Sequence, residues 1–94
     1  MHEISAARGV LQGILEECSR SGLSRVDRAE VTVNAYDGLS PENLEYWFQS
    51  MSRGTKAEGA TLVVRVLSGE DEACPRPGDI RLDVLQGVEA CTDG

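Results

Sequence analysis

The apolar residues Ile4, Ala7, Leu11, Ile14, Leu15 and Cys18 recur at helical spacing, with polar residues between them. That pattern predicts an amphipathic helix whose apolar stripe must be covered by something else in the chain. With 94 residues there is room for one small core, so the rest of the sequence has to supply that cover. Glu3 suits the positive end of the helix dipole. The stretch "SRSGLS" ends the helix, with Gly22 as a left-handed C-cap.

The next segments alternate in period. In "RVDRAEVTVNAYDG", Ala29, Val31 and Val33 alternate with Glu30, Thr32 and Asn34, which predicts a half-buried strand. Asn34 tolerates positive φ and is read as the strand end. "LSPENLEYWFQSMSRG" opens with Ser40 as N-cap, Pro41 at the first helical position and Glu42 behind it. Leu44, Trp47, Phe48 and Met51 form its apolar face, with Tyr46 flanking them, and Gly54 closes it. "ATLVVRVL" is a near-continuous apolar run and is read as a central strand. After the acidic, proline-broken loop "GEDEACPRPGD", the stretch "IRLDVLQGVEA" alternates again. Ile80, Leu82 and Val84 share a face there, and Gly87 marks a bulge or turn. "CTDG" is read as a frayed tail. The expected architecture is α+β: a three-stranded sheet with two helices packed on one face, in the order helix, strand, helix, strand, strand. Residues 1–94 form one domain.

Charge and composition exclude several classes. A net charge of -7 provides no basic footprint for nucleic acid. No apolar run approaches the roughly 20 residues of a membrane span, and the helically spaced start does not read as a signal peptide. Three cysteines, Cys18, Cys74 and Cys91, at irregular spacing are no disulfide framework, which points to a reducing cytoplasm. No CxxC pair is present. No glycine-rich phosphate loop follows a strand, and no nucleophile–base pairing presents itself, so no enzyme activity is expected.

Several stretches belong together: "MHEIS" at the start, "SPENLEYWFQSMSRGTKAEGATLVV" in the middle and "CPRPGDIRLDVLQGVE" near the end. In this order the chain resembles the hydrogenase/urease nickel-incorporation metallochaperones, the HypA/HybF family. The resemblance runs from Met1 to about Val66 and resumes at Cys74. It implies a small cytoplasmic α/β protein with a nickel site at its Met-His-Glu start. It further implies that nickel is handed to a hydrogenase or urease precursor together with a partner GTPase. Family members also carry a zinc subdomain with two CxxC pairs between the last two strands. Here the segment for the first pair is missing, between about residues 67 and 79. The second pair is reduced to "CPRPG", with Pro77 in place of its second cysteine. A closed structural zinc site needs about four ligands, so no structural zinc is expected.

Residues 1–3 have their own coordination chemistry. The Met1 amine, the His2 backbone nitrogen and His2 Nδ1 can close two fused chelate rings on one metal ion. Glu3 adds a fourth donor, either its carboxylate or its own amide nitrogen. Four such donors lie naturally in a plane, which suits Ni(II) or Cu(II) better than Zn(II) or Mg(II). The ligands must be deprotonated, so affinity falls in acid. The candidate metal ligands are therefore Met1, His2 and Glu3, with Ni(II) as cargo.

Two readings of the whole remain. The first is a nickel-carrying accessory protein that assists maturation of a nickel enzyme. The second is a degenerate family member that binds a maturation partner without transferring metal. Outside the first three residues, Cys18 is expected in the core. Cys74 is expected as a remnant of the lost zinc site, and Cys91 as either a free thiol or a last strand residue. Glu70, Asp71 and Glu72 are expected in a solvated loop.

Overall fold

The computed structural model describes residues 3–69 and 73–90. Helix α1 spans Glu3–Ser21, strand β1 Leu23–Asn34, helix α2 Pro41–Met51, strand β2 Thr61–Leu67 and strand β3 Ile80–Glu89. A short 3-10 turn at Ala35–Asp37 leads out of β1. The predicted order and class of elements are those observed. The sheet runs β2-β1-β3, with β1 parallel to β2 and antiparallel to β3.

Local signals account for the helix ends. Gly22 has φ 74°, as expected of a left-handed C-cap behind Ser21. Ser40 has extended backbone angles and its side chain accepts from Asn43 N–H at 3.4 Å, with Pro41 following it. The last turn of α2 closes on Ser52, whose N–H donates to the Phe48 carbonyl. Gly54, with φ 80°, lies in the turn beyond the helix and does not cap it.

Both helices cover one face of the sheet. α1 lies against β1 and β3, α2 against β2, and the helices pack on each other. Ala7, Val10, Ile14 and Cys18 of α1 meet Leu44 and Phe48 of α2 over Val26, Ala29, Val31, Val33 and Leu62. Trp47 and Met51 are half-buried at the rim of this core. Burying side chains of this size stabilises by roughly 1.5–3 kcal/mol each relative to exposure.

Further expectations need correcting. Ile4 of the predicted α1 stripe is exposed and Leu15 is half-buried, whereas Ala6 and Val10, outside that stripe, are buried. β1 begins at Leu23, well before the alternating segment, because Leu23, Arg25 and Val26 pair with Glu89, Val88 and Gly87 of β3. The central strand is β1, and the apolar run of β2 sits at an edge. β1 reads as less apolar because Arg28 and Glu30 project from its helix-free face, yet its backbone has partners on both sides. Val84 does not share a face with Ile80 and Leu82. A register shift opposite Glu30 and Val31 places Asp83 as an extra residue, and Leu85 takes the core position instead. Asn34 ends β1 with φ -82°, so it needs no positive φ.

The bulge expected at Gly87 falls on the opposite strand: Gln86, Gly87, Val88 and Glu89 pair in succession, while Ser24 and Asp27 of β1 are the extra residues. Register shifts flank its pairing with Val26. The close approach of the Arg25 backbone leaves no space for a side chain there.

Candidate metal centre

Met1 and His2 lie outside the described residues, as do Glu70, Asp71, Glu72 and Cys91. Of the three expected ligands, the structure places Glu3, which is half-buried and opens α1. The first amide N–H groups of an α-helix have no intrahelical carbonyl to bond. Coordination through the Glu3 backbone nitrogen would therefore break no helical hydrogen bond. Among the described residues, no group of three or more histidine, cysteine, aspartate or glutamate side chains gathers at metal-binding distances.

The cysteines separate cleanly. Cys18 is fully buried among apolar residues of α1 and the sheet. Burial pushes its thiol pKa up, with a further upward push from Glu17 that the Lys56 charge opposes. It therefore behaves as a small core residue, as expected. Cys74 is half-buried in the segment that connects β2 to β3, and its thiol donates towards the carbonyls of Leu67 at 3.4 Å and Pro75 at 3.3 Å.

The segment around Cys74 is fastened to the sheet by three side chains. Asn34 donates from Nδ2 to the Pro75 carbonyl at 2.8 Å while accepting from the Tyr36 N–H at 2.7 Å. Asp37 accepts from the Gly78 N–H with both carboxylate oxygens. Arg81 donates to the Ala73 carbonyl. The buried Asn34 amide is thereby satisfied on both its donor and its acceptor side, as a buried polar group must be. An open hollow of about 600 Å³ lies here, between Asn34, Tyr36, Cys74 and Arg76.

Beside it, Thr32, Arg81 and Asp83 form a connected cluster. The Thr32 hydroxyl and the Arg81 guanidinium both donate to the Asp83 carboxylate, Arg81 at 2.6 Å. Partial burial alone would raise the Asp83 pKa. The hydrogen bonds from Thr32 and Arg81, with the charges of Arg81 and Arg65, outweigh it and hold the carboxyl below its ordinary value. The sequence carries a signal for this arrangement. Arg25-x-Asp27, Arg28-x-Glu30 and Arg81-x-Asp83 each place an arginine two residues before an acid. A strand of period two puts both on one side, and each of the three is an ion pair.

Residues 1–76 match the sequence profile of the family described as hydrogenase/urease nickel incorporation, metallochaperone, hypA. The chain belongs to this family. Among similar proteins, the hydrogenase maturation factor HypA of Azotobacter chroococcum is 31% identical over 104 positions, covering 95% of this chain and 92% of that protein. The protein of the same name from Acidithiobacillus ferrooxidans is 33% identical over 105 positions, with the same coverage of 95% and 92%. The solution structure of the Ni metallochaperone HypA from Helicobacter pylori superimposes with a TM-score of 0.77 at 11% identity. It covers 96% of this chain and all of that one. That last likeness establishes the shared fold. The expectation of family and fold drawn from the three quoted stretches therefore holds.

Proposed function

We propose that this protein is a nickel metallochaperone of hydrogenase maturation, carrying Ni(II) on Met1, His2 and Glu3 and delivering it without a zinc subdomain. The observation that carries the reading is the family match over residues 1–76, which spans the Met-His-Glu start. The relatives named hydrogenase maturation factor suggest a hydrogenase precursor as recipient. A nickel-insertion GTPase is the expected helper, and urease precursors are the second candidate client. Nickel is cargo here, and the chain has no catalytic step to perform on it.

The physical chemistry supports the proposed ligand set. The amine, the His2 amide nitrogen and the His2 imidazole close two chelate rings, and the Glu3 amide nitrogen lies at the end of α1, where helix geometry leaves it unused. Such a nitrogen-rich planar set favours Ni(II) over hard cations. A partner that displaces one donor would open the plane and release the ion.

Two observations support the reading that the zinc subdomain is missing. Cys18 is committed to the core and so is not a zinc ligand. The aligned length of 104 positions with the Azotobacter protein exceeds the 94 residues of this chain, so that relative has positions with no counterpart here. Both fit the reduced "CPRPG" remnant. The domain spanning residues 1–94 would then be the nickel-carrying half of the family's equipment.

Nickel titration of the untagged protein beside His2→Ala, by calorimetry, tests the site. Wild-type affinity should exceed that of the variant by at least about tenfold, roughly 1.4 kcal/mol. Equal affinities would remove the metal site and leave the interaction-module reading, in which the chain docks on a maturation partner without carrying nickel.

A further inference from the structure

We propose that the outer edge of β2 is a docking site for an acidic, extended segment of a partner protein, added as a fourth strand. The two edges of the sheet are built differently. β3 is bulged at Asp83 and also carries Glu89, and Glu17 of α1 stands beside its residues 82–85. Bulges and charges of this kind keep an edge strand from pairing. β2 lacks them. Its seven pairs with β1 run in unbroken register, and its sole charged side chain is Arg65. Among the described residues, no strand pairs with its outer side. Arg65 and Val66 are consecutive and project to opposite faces, yet both are exposed, Val66 at 42%. Among the described residues, both faces are thus partly open to solvent at Arg65 and Val66.

Charge selects the occupant. Arg65 Nη2 reaches Glu30 only at 3.5 Å, while Arg28 holds the same carboxylate at 3.2 Å. Arg28 and Arg65 thus share Glu30 on the helix-free face, where the Arg65 charge also reaches Asp83. A carboxylate beside Arg65 would give it a counter-ion of its own. A second copy of β2, "TLVVRVL", supplies none and would add another arginine. The fitting occupant is therefore a strand in which carboxylates alternate with apolar side chains. The acids would lie beside Arg65, and the apolar groups beside Val66. Backbone hydrogen bonds supply affinity in such an added strand, and the alternating side chains supply selectivity. This proposal does not depend on the nickel site.

The probe is a fluorescein-labelled, end-capped peptide of alternating valine and glutamate, seven residues long, titrated with the full chain by fluorescence anisotropy. Controls are the same peptide with lysine for glutamate, and two versions N-methylated at alternate amides along one edge or the other. The acidic peptide should bind at least about tenfold more tightly than the lysine peptide, and Arg65→Glu should remove that advantage. Arg65 is exposed, so an unchanged melting profile of the variant checks that the fold is intact. One N-methylated peptide should lose binding and the other keep it, because only one peptide edge faces β2. Equal binding of acidic and basic peptides, indifference to Arg65→Glu, or full binding by both N-methylated peptides would overturn the proposal. So would dimerisation of the free chain that Val66→Lys abolishes, since a second copy would then be the occupant.

Discussion

Gly87 of β3 lies so close to Arg25 of β1 that a Cβ added at Gly87 would stand 1.9 Å from the Arg25 carbonyl oxygen. That oxygen is backbone, so the strand itself would have to move to admit even a methyl group. The contact sits where β1 and β3 slip register, on the stretch of β1 that pairs with no residue of β2. Gly87→Ala should therefore open this end of the sheet and destabilise by roughly 2–3 kcal/mol. For a domain of this size that lowers the melting temperature by about 10 °C or more. Differential scanning calorimetry of the variant checks it, and a melt within about 2 °C of wild type would show that the bulge yields easily.

Phe48 and Leu44 are fully buried where α2 meets α1 and the sheet. Phe48→Ala should cost about 3–5 kcal/mol and Ile14→Val about 0.5–1.5 kcal/mol, since the first leaves a large cavity and the second removes one methyl group. Urea denaturation of each variant provides the comparison. The order of the two losses matters more than their sizes.

Asp83 is held below its ordinary carboxylate pKa in the folded state. A carboxyl with a lowered folded pKa contributes stability above its unfolded pKa of about 3.9, and that contribution disappears as pH falls through the lower, folded value. The stability gap between wild type and Asp83→Asn should thus be constant near neutral pH and narrow progressively below about pH 4. Urea midpoints measured from pH 7 down to pH 3 would show it. A gap that widens in acid would mean the sign is wrong.

Cys18 is buried and Cys74 is half-buried in the segment between the strands. In native protein, Ellman's reagent should label Cys74 promptly and Cys18 only as fast as the protein unfolds. Cys18→Ser should leave the fast phase unchanged, whereas Cys74→Ser should diminish it. Retention of the full fast phase in Cys74→Ser would contradict the placement of that thiol.

The core between the two helices and the sheet uses no metal ligand. A cooperative thermal melt should accordingly survive EDTA, and elemental analysis of protein purified without chelator should find no stoichiometric zinc. Collapse of the melt on chelation would place a structural metal in this fold. One zinc per chain that persists in Cys74→Ser would show that the reduced "CPRPG" motif had been misread.

The sequence by itself determined whatever depends on neighbours a few residues apart. The α1 helix, the Gly22 cap, the Ser40-Pro41 start and the alternation through Val31 and Val33 are local and appear as read, while within the α1 stripe Ile4 turned out exposed and Ala6 and Val10 took buried places. Family membership was legible for the same reason, from three contiguous stretches. Tertiary structure decided what depends on pairing between distant segments. Leu23–Val26 becomes strand because Gly87–Glu89 lies beside it, and β1 takes the centre because partners reach both of its edges. Asp83 bulges out of β3, sending Leu85 rather than Val84 into the core, and joins Thr32 and Arg81 across the sheet. Register of this kind is a property of two strands at once. A one-residue slip reverses every side chain beyond it, and the period of a single strand cannot reveal where its partner slips.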